Sequence, residues 1–121
     1  MEFKYSKESL ERIEECHEDL QLIAMELIKH MNVVVLCGYR GEREQNSAFI
    51  NGFSKQQWPR SKHNSIPSRA IDIAPYPTNW DDIESFKNMC ELVEHIASQF
   101  NIKIRLGRDF SFRDFPHIEL A

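Results

Sequence analysis

The chain has 121 residues, 41% of them hydrophobic and 11% aromatic, enough for one buried core and short for two. Its net charge of −4, and the lack of any nucleic-acid-binding motif, argue against a protein that grips phosphate backbones. No apolar run approaches the ~20 residues of a membrane helix, and the opening MEFKYSKESLERIEE has no apolar signal-peptide core. The expectation is therefore a single domain over 1–121, cytoplasmic on synthesis, with no membrane or nucleic-acid partner.

The first predicted element is a long amphipathic helix over 6–31. Leu10, Ile13, Leu20, Ile23, Leu27 and Met31 keep the three-to-four spacing of one helix face, and Ser6 is a fitting N-cap. VVVLCGY (33–39) is β-branched and stopped by Gly38, so it reads as a buried strand. Residues 42–53 are weakly helical. Residues 54–69 lack periodicity and contain Pro59 and Pro67, which makes them a loop. AIDIA (70–74) alternates, with Ile71 and Ile73 on one face and Ala70, Asp72 and Ala74 on the other. A second helix opens at Asp81 or Asp82 and runs to about Phe100, with Ile83, Phe86, Cys90, Val93, Ala97 and Phe100 as its stripe. IKIRL (102–106) and HIEL (117–120) close the chain as short strands. A few strands and two long helices give an α+β class: a compact domain with a small, mainly antiparallel sheet covered by the helices.

Charge is uneven along this order. Residues 40–69 hold six basic side chains (Arg40, Arg43, Lys55, Arg60, Lys62, Arg69) and two acidic ones, inside an otherwise acidic chain. Such a segment creates a local field for an anionic ligand, with Lys55 and Lys62 read as exposed steering cations. Cys16, Cys37 and Cys90 are widely spaced and odd in number, which reads as buried free thiols rather than a disulfide framework or thiolate metal site.

Asp72 poses the chemical question, because a carboxylate within an apolar strand is costly unless it is paired or bound to a cation. His17, His30 and His95 fall on predicted helices among charged residues, where surface or core-edge roles suffice. His63 and His117 instead flank strands that carry carboxylates. Two histidines and a carboxylate are a common ligand set for catalytic zinc, with a fourth position open. A further carboxylate such as Asp114 suits a general base. The residues admit this set without selecting it, since the spacing is not HExxH.

The motifs select it by resemblance. SKHNSIPSRAIDIAPYP resembles the S-x-H…G-x-A-x-D motif of zinc D,D-carboxypeptidases of the VanY type, and more closely that of small phage endolysins that are L-alanyl-D-glutamate peptidases. RDFPHIEL resembles their closing D-x-P-H-[FI]-E-L. GYRGEREQ resembles their G-Y-R…Q segment, and IKIRLGRDF their strand and G-G-D turn. The matches run in family order over about 33–120. The resemblance implies a hedgehog/DD-peptidase-like fold and one zinc ion held by His63, Asp72 and His117. It implies Asp114 as the catalytic carboxylate, Arg40 as the cation that polarises the scissile carbonyl, and Glu119 as an acceptor behind a ligand. Gln45 and Ser61 lie inside the matched motifs and are expected beside the ligands or the substrate.

The implied substrate is the stem peptide of bacterial peptidoglycan, cut by a monomeric endolysin that reaches the wall after holin-type release. A D-alanyl-D-alanine carboxypeptidase is the alternative on the same ligands. A zinc-stabilised wall-binding module without turnover is the alternative of another class. Four departures bear on loop shape and substrate choice. Ser68 stands where relatives usually have Gly, nine residues rather than seven separate His63 from Asp72, Arg108 replaces the second Gly of the G-G-D turn, and the stretch from Asp109 to Asp114 is shorter than in many endolysins.

Overall fold

The computed structural model describes residues 2–121. The predicted first helix is two helices, α1 (Lys7–Glu14) and α2 (Glu18–Leu27). Ser6 caps α1 as expected, its hydroxyl accepting from the Ser9 amide. The helix stops because the loop claims its backbone. Ser68 N–H donates to the Glu15 carbonyl at 2.9 Å, and His17 N–H donates to the Ser68 carbonyl at 2.8 Å. Cys16 lies in the parallel bridge so formed. His17 then restarts the helix as the N-cap of α2, its Nδ1 accepting from the Asp19 amide. The continuous apolar stripe breaks here too: Leu10 is exposed rather than in the core.

Four strands, β1 (Val33–Cys37), β2 (Ala70–Pro75), β3 (Ile104–Leu106) and β4 (His117–Leu120), form one antiparallel sheet in the order β1-β2-β4-β3. The strand expected over 102–106, at the other edge of the sheet, is shorter, because Ile102 N–H turns back to the Ala97 carbonyl. The one long helix, α4 (Ile83–Gln99), is capped by Asp82, whose carboxylate accepts from the Ser85 amide at 3.2 Å. Asn101, in the left-handed region with φ 58°, ends it. A shorter helix, α3 (Glu42–Ile50), occupies the weakly helical stretch.

Val35, Ile71, Ile73, Ile118 and Leu120 join Leu20, Ile23 and Leu27 of α2 and Phe86, Met89, Val93 and Ile96 of α4 in one buried cluster. Ile83 and Phe100, at the ends of the predicted α4 stripe, stay partly exposed. The free edge of β1 is covered by α1. Ser9 Oγ accepts from the Val35 amide, and Arg12 donates to the Val35 carbonyl. The helices thus cover one face of the sheet, and the alternation of β2 sends Asp72 to the other. No helix of the described residues is long and apolar enough to cross a membrane.

Candidate active site

Three chain segments meet above that open face. In the sheet register Asp72 of β2 lies directly opposite His117 of β4, so both side chains rise from the same face. His63 arrives from the loop, on a 3-10 turn (Lys62–Asn64) that Ser61 caps. The Ser61 hydroxyl accepts from the His63 amide at 3.2 Å, while the Asn64 side chain accepts from the Ser61 amide at 3.0 Å. Ser61 is thus a positioning residue for His63.

Each imidazole is oriented from behind. His63 Nδ1 lies 2.7 Å from the Gly38 carbonyl, which can only accept, so that nitrogen carries the proton. His63 Nε2 then faces Asp72 Oδ1 at 3.2 Å. His117 Nε2 donates to Glu119 Oε1 at 2.8 Å, and its Nδ1 faces the same Asp72 oxygen at 3.2 Å. Two ring nitrogens therefore converge on one carboxylate oxygen, each with its far nitrogen already engaged. This is the arrangement that outer hydrogen bonds give to metal-binding histidines. A carboxylate oxygen of Asp114 lies within 4.8 Å of the Asp72 and His117 donor atoms.

Electrostatics show what this geometry demands. Burial alone would disfavour charge on either imidazole, yet the Asp72 carboxylate outweighs it and holds both His63 and His117 above the ordinary histidine range. Burial likewise opposes the Asp72 charge, but the two imidazoles hold its carboxyl well below the usual range. Without a metal, protons on the nitrogens that face it would compensate the buried carboxylate; a divalent cation would compensate it in the same place. Glu119, despite burial, is held ionised by His117 and Lys62. Asp114 moves the other way. Burial and the neighbouring Asp72 charge raise its pKa, only partly offset by His117, His63 and Arg40.

Residues 1–120 match the family model described as phage L-alanyl-D-glutamate peptidase. This chain belongs to that family. Its fold is also that of the L-Ala D-Glu endopeptidase ChiX of Serratia marcescens, with a TM-score of 0.82 over 98% of this chain and 90% of that one at 21% identity. No curated protein matches in sequence.

In this peptidase-family chain Arg40 reaches the site from the end of β1. One guanidinium nitrogen is 3.6 Å from Asp72 Oδ2, and another donates to Gln45 Oε1 at 3.1 Å. Gln45 is fully buried on α3 and ties the region together. Its amide donates to Ser54 Oγ and to the Gln56 carbonyl, and its oxygen also accepts from Asn64. All eight expected site residues are thus brought to one place, Gln45 and Ser61 as supports. All of them but Gln45 line a cleft with a volume of about 690 Å³.

Two expectations need correction. Lys62 is no free steering cation: its ammonium bonds the Leu120 carbonyl and pairs with Glu119 Oε2 at 3.1 Å. Cys37 is not fully buried, and it belongs to the site. Its sulfur lies 3.7 Å from an Arg40 nitrogen and 3.8 Å from His63 Nδ1. Simple alternation from Val33 and Val35 puts Cys37 on the core face. A bulge between Val35 and Cys37 shifts the register, so Cys37 rather than Leu36 pairs with Asp72. Asn64, also passed over in the sequence, is buried and donates to the Arg40 carbonyl. Its position beside His63 was the available signal.

Two of the departures from the family pattern, Ser68 and Arg108, have local partners. The Ser68 hydroxyl donates to the Ala70 carbonyl at 2.7 Å, inside the bridge to Cys16. Arg108 ties its turn to α4 through Glu94 at 2.9 Å.

Proposed function

We propose that the chain is a zinc-dependent endopeptidase that cuts the L-alanyl-D-glutamate bond of peptidoglycan stem peptides. The observation that carries this reading is the convergence of His63 Nε2 and His117 Nδ1 on Asp72, each ring locked from behind. His63, Asp72 and His117 would hold the ion. When bound, zinc would supply a Lewis acid for the scissile carbonyl and lower the pKa of a water molecule.

The residues of the chain supply the rest. Asp114 accepts the proton of the attacking water on a carboxylate oxygen and passes it to the departing amine. A carboxyl pKa raised by burial is better matched to that exchange than an ordinary one. Arg40 donates from its guanidinium to the carbonyl oxygen as charge develops there, pre-set by Gln45 so that little reorganisation is needed. Glu119, ionised between His117 and Lys62, keeps the His117 ring turned.

Digestion of purified peptidoglycan by the zinc-loaded chain, followed by mass analysis, tests this. New D-Glu amino termini are expected. Released D-Ala would instead mean a carboxypeptidase, and no products a binding module. Asp114→Asn should retain zinc and lose about 10²–10⁴-fold in rate. Near-normal turnover in that variant would remove Asp114 from the mechanism.

A further inference from the structure

The cleft is lined by five cations, Arg40, Lys55, Arg60, Lys62 and Arg105. Three are already matched. Arg40 pairs with Asp72, and Lys62 and Arg105 both pair with Glu119. Among the described residues Lys55 and Arg60 form no ion pair. Both are exposed. Lys55 is held over the ring of Phe112 at 4.5 Å from its centroid, which links the loop before His63 to the loop before His117 across the cleft. Arg60 lies three residues before His63, its backbone fixed by an N–H bond to the Gln57 carbonyl at 2.8 Å. The acids of the cleft do not consume these charges. Asp72 and Glu119 are compensated within the site, Asp109 is paired with Arg108, and Asp114 forms no ion pair with either cation among the described residues.

We propose that Lys55 and Arg60 form the subsite for the free carboxylate of the D-glutamyl residue. The inference rests on the endopeptidase reading above and specifies how that site selects its substrate. The chemistry follows from the bond. The L-alanyl carboxyl is consumed in the scissile amide. The glutamyl residue has two carboxyl groups, and linkage onward uses only one. An ionised carboxylate therefore remains one residue from the reacting carbon, and the two unpaired cations are the groups of the cleft still available to meet it. An arginine and a lysine suit this role together, the fork for direction and the ammonium for charge. The glutamyl side of the peptide accordingly runs toward the Lys55–Phe112 side of the cleft.

The test uses the full zinc-loaded chain and two soluble peptides that differ at one group: the free glutamyl carboxylate, or the same position as its carboxamide. Wild type should favour the carboxylate peptide in kcat/KM by about five- to tenfold, the scale of two partly solvated charge contacts. Lys55→Gln/Arg60→Gln should bring the two rates together by lowering cleavage of the carboxylate peptide, mainly through KM. Each single variant should remove part of the preference. Equal cleavage of both peptides by wild type would overturn this subsite while leaving the endopeptidase reading in place. So would a double variant that loses equally on both peptides. Cleavage of neither peptide by wild type would overturn the endopeptidase reading and the subsite with it.

Discussion

Lys62 sits between Ser61, which caps the turn, and the proposed ligand His63, and its ammonium reaches across to the last strand. It bonds the Leu120 carbonyl and pairs with Glu119, which accepts the Nε2 proton of His117. One side chain thus clamps the loop carrying His63 to the strand carrying His117. Lys62→Met keeps the aliphatic stem and removes the charge. Zinc affinity, measured by competition with a chromogenic chelator, should fall by about tenfold, the lower end of effects seen when an outer partner of a metal ligand is lost. Unchanged affinity would mean that Arg105, 3.6 Å from the same carboxylate, suffices. Composition could not show this, because a lysine in a basic run looks the same whether it faces solvent or a buried carboxylate. Asp72 was legible for the opposite reason: a charge at an apolar strand position must be compensated, and the strand's period fixes its face.

The elements that carry the site were legible where local pattern and tertiary contact agree, and misread where they conflict. α4 has a strong period, a capping aspartate and a left-handed Asn101 at its end, and it forms as expected. The helix over 6–31 has an equally good period, yet Ser68 takes its backbone, donating to the Glu15 carbonyl and accepting from the His17 amide. No periodicity reports a partner fifty residues away. The bulge that turns Cys37 toward His63 is hidden in the same way, since it exists only in the pairing with β2. The turn after β3 makes a sharper case. Gly107 accepts from the amides of Phe110 and Asp114, and a Cβ there would run into the Asp114 carbonyl and come within 2.9 Å of His117 Cβ. Gly107→Ala must displace the backbone at Asp114, the proposed catalytic carboxylate, and the side chain of His117, the last proposed ligand. Denaturant titration should show a loss of about 1–3 kcal/mol, the usual cost of overpacking. Turnover should fall further than stability alone explains, because Asp114 and His117 move relative to each other. Normal kinetics in a destabilised variant would show that the turn relaxes away from the site.

Across the whole molecule the three proposed ligands come from a loop turn, an interior strand and the last strand, so no short segment could bind the ion with this geometry. A cation held there binds the folded chain and not the unfolded one, and it stabilises the fold by mass action, about 2.7 kcal/mol at a hundredfold excess over Kd. The metal-free chain is expected to fold around its own core, with Asp72 compensated by protonated His63 and His117. That compensation has a sign. The raised imidazole pKa values favour the metal-free fold most below the ordinary histidine range, and the contribution fades as pH climbs through the raised values. Zinc works in the other direction, since it must displace those protons to reach the nitrogens, so its binding strengthens as pH rises. Thermal unfolding of chelator-treated protein, with and without added zinc, should therefore give a cooperative transition in both states. Zinc should raise Tm, by a larger amount at mildly alkaline than at mildly acid pH. His63→Ala, which removes one proposed ligand from outside the hydrophobic cluster, should abolish most of that rise. A zinc-dependent shift that survives in His63→Ala, or that grows as pH falls, would place the ion elsewhere on the chain.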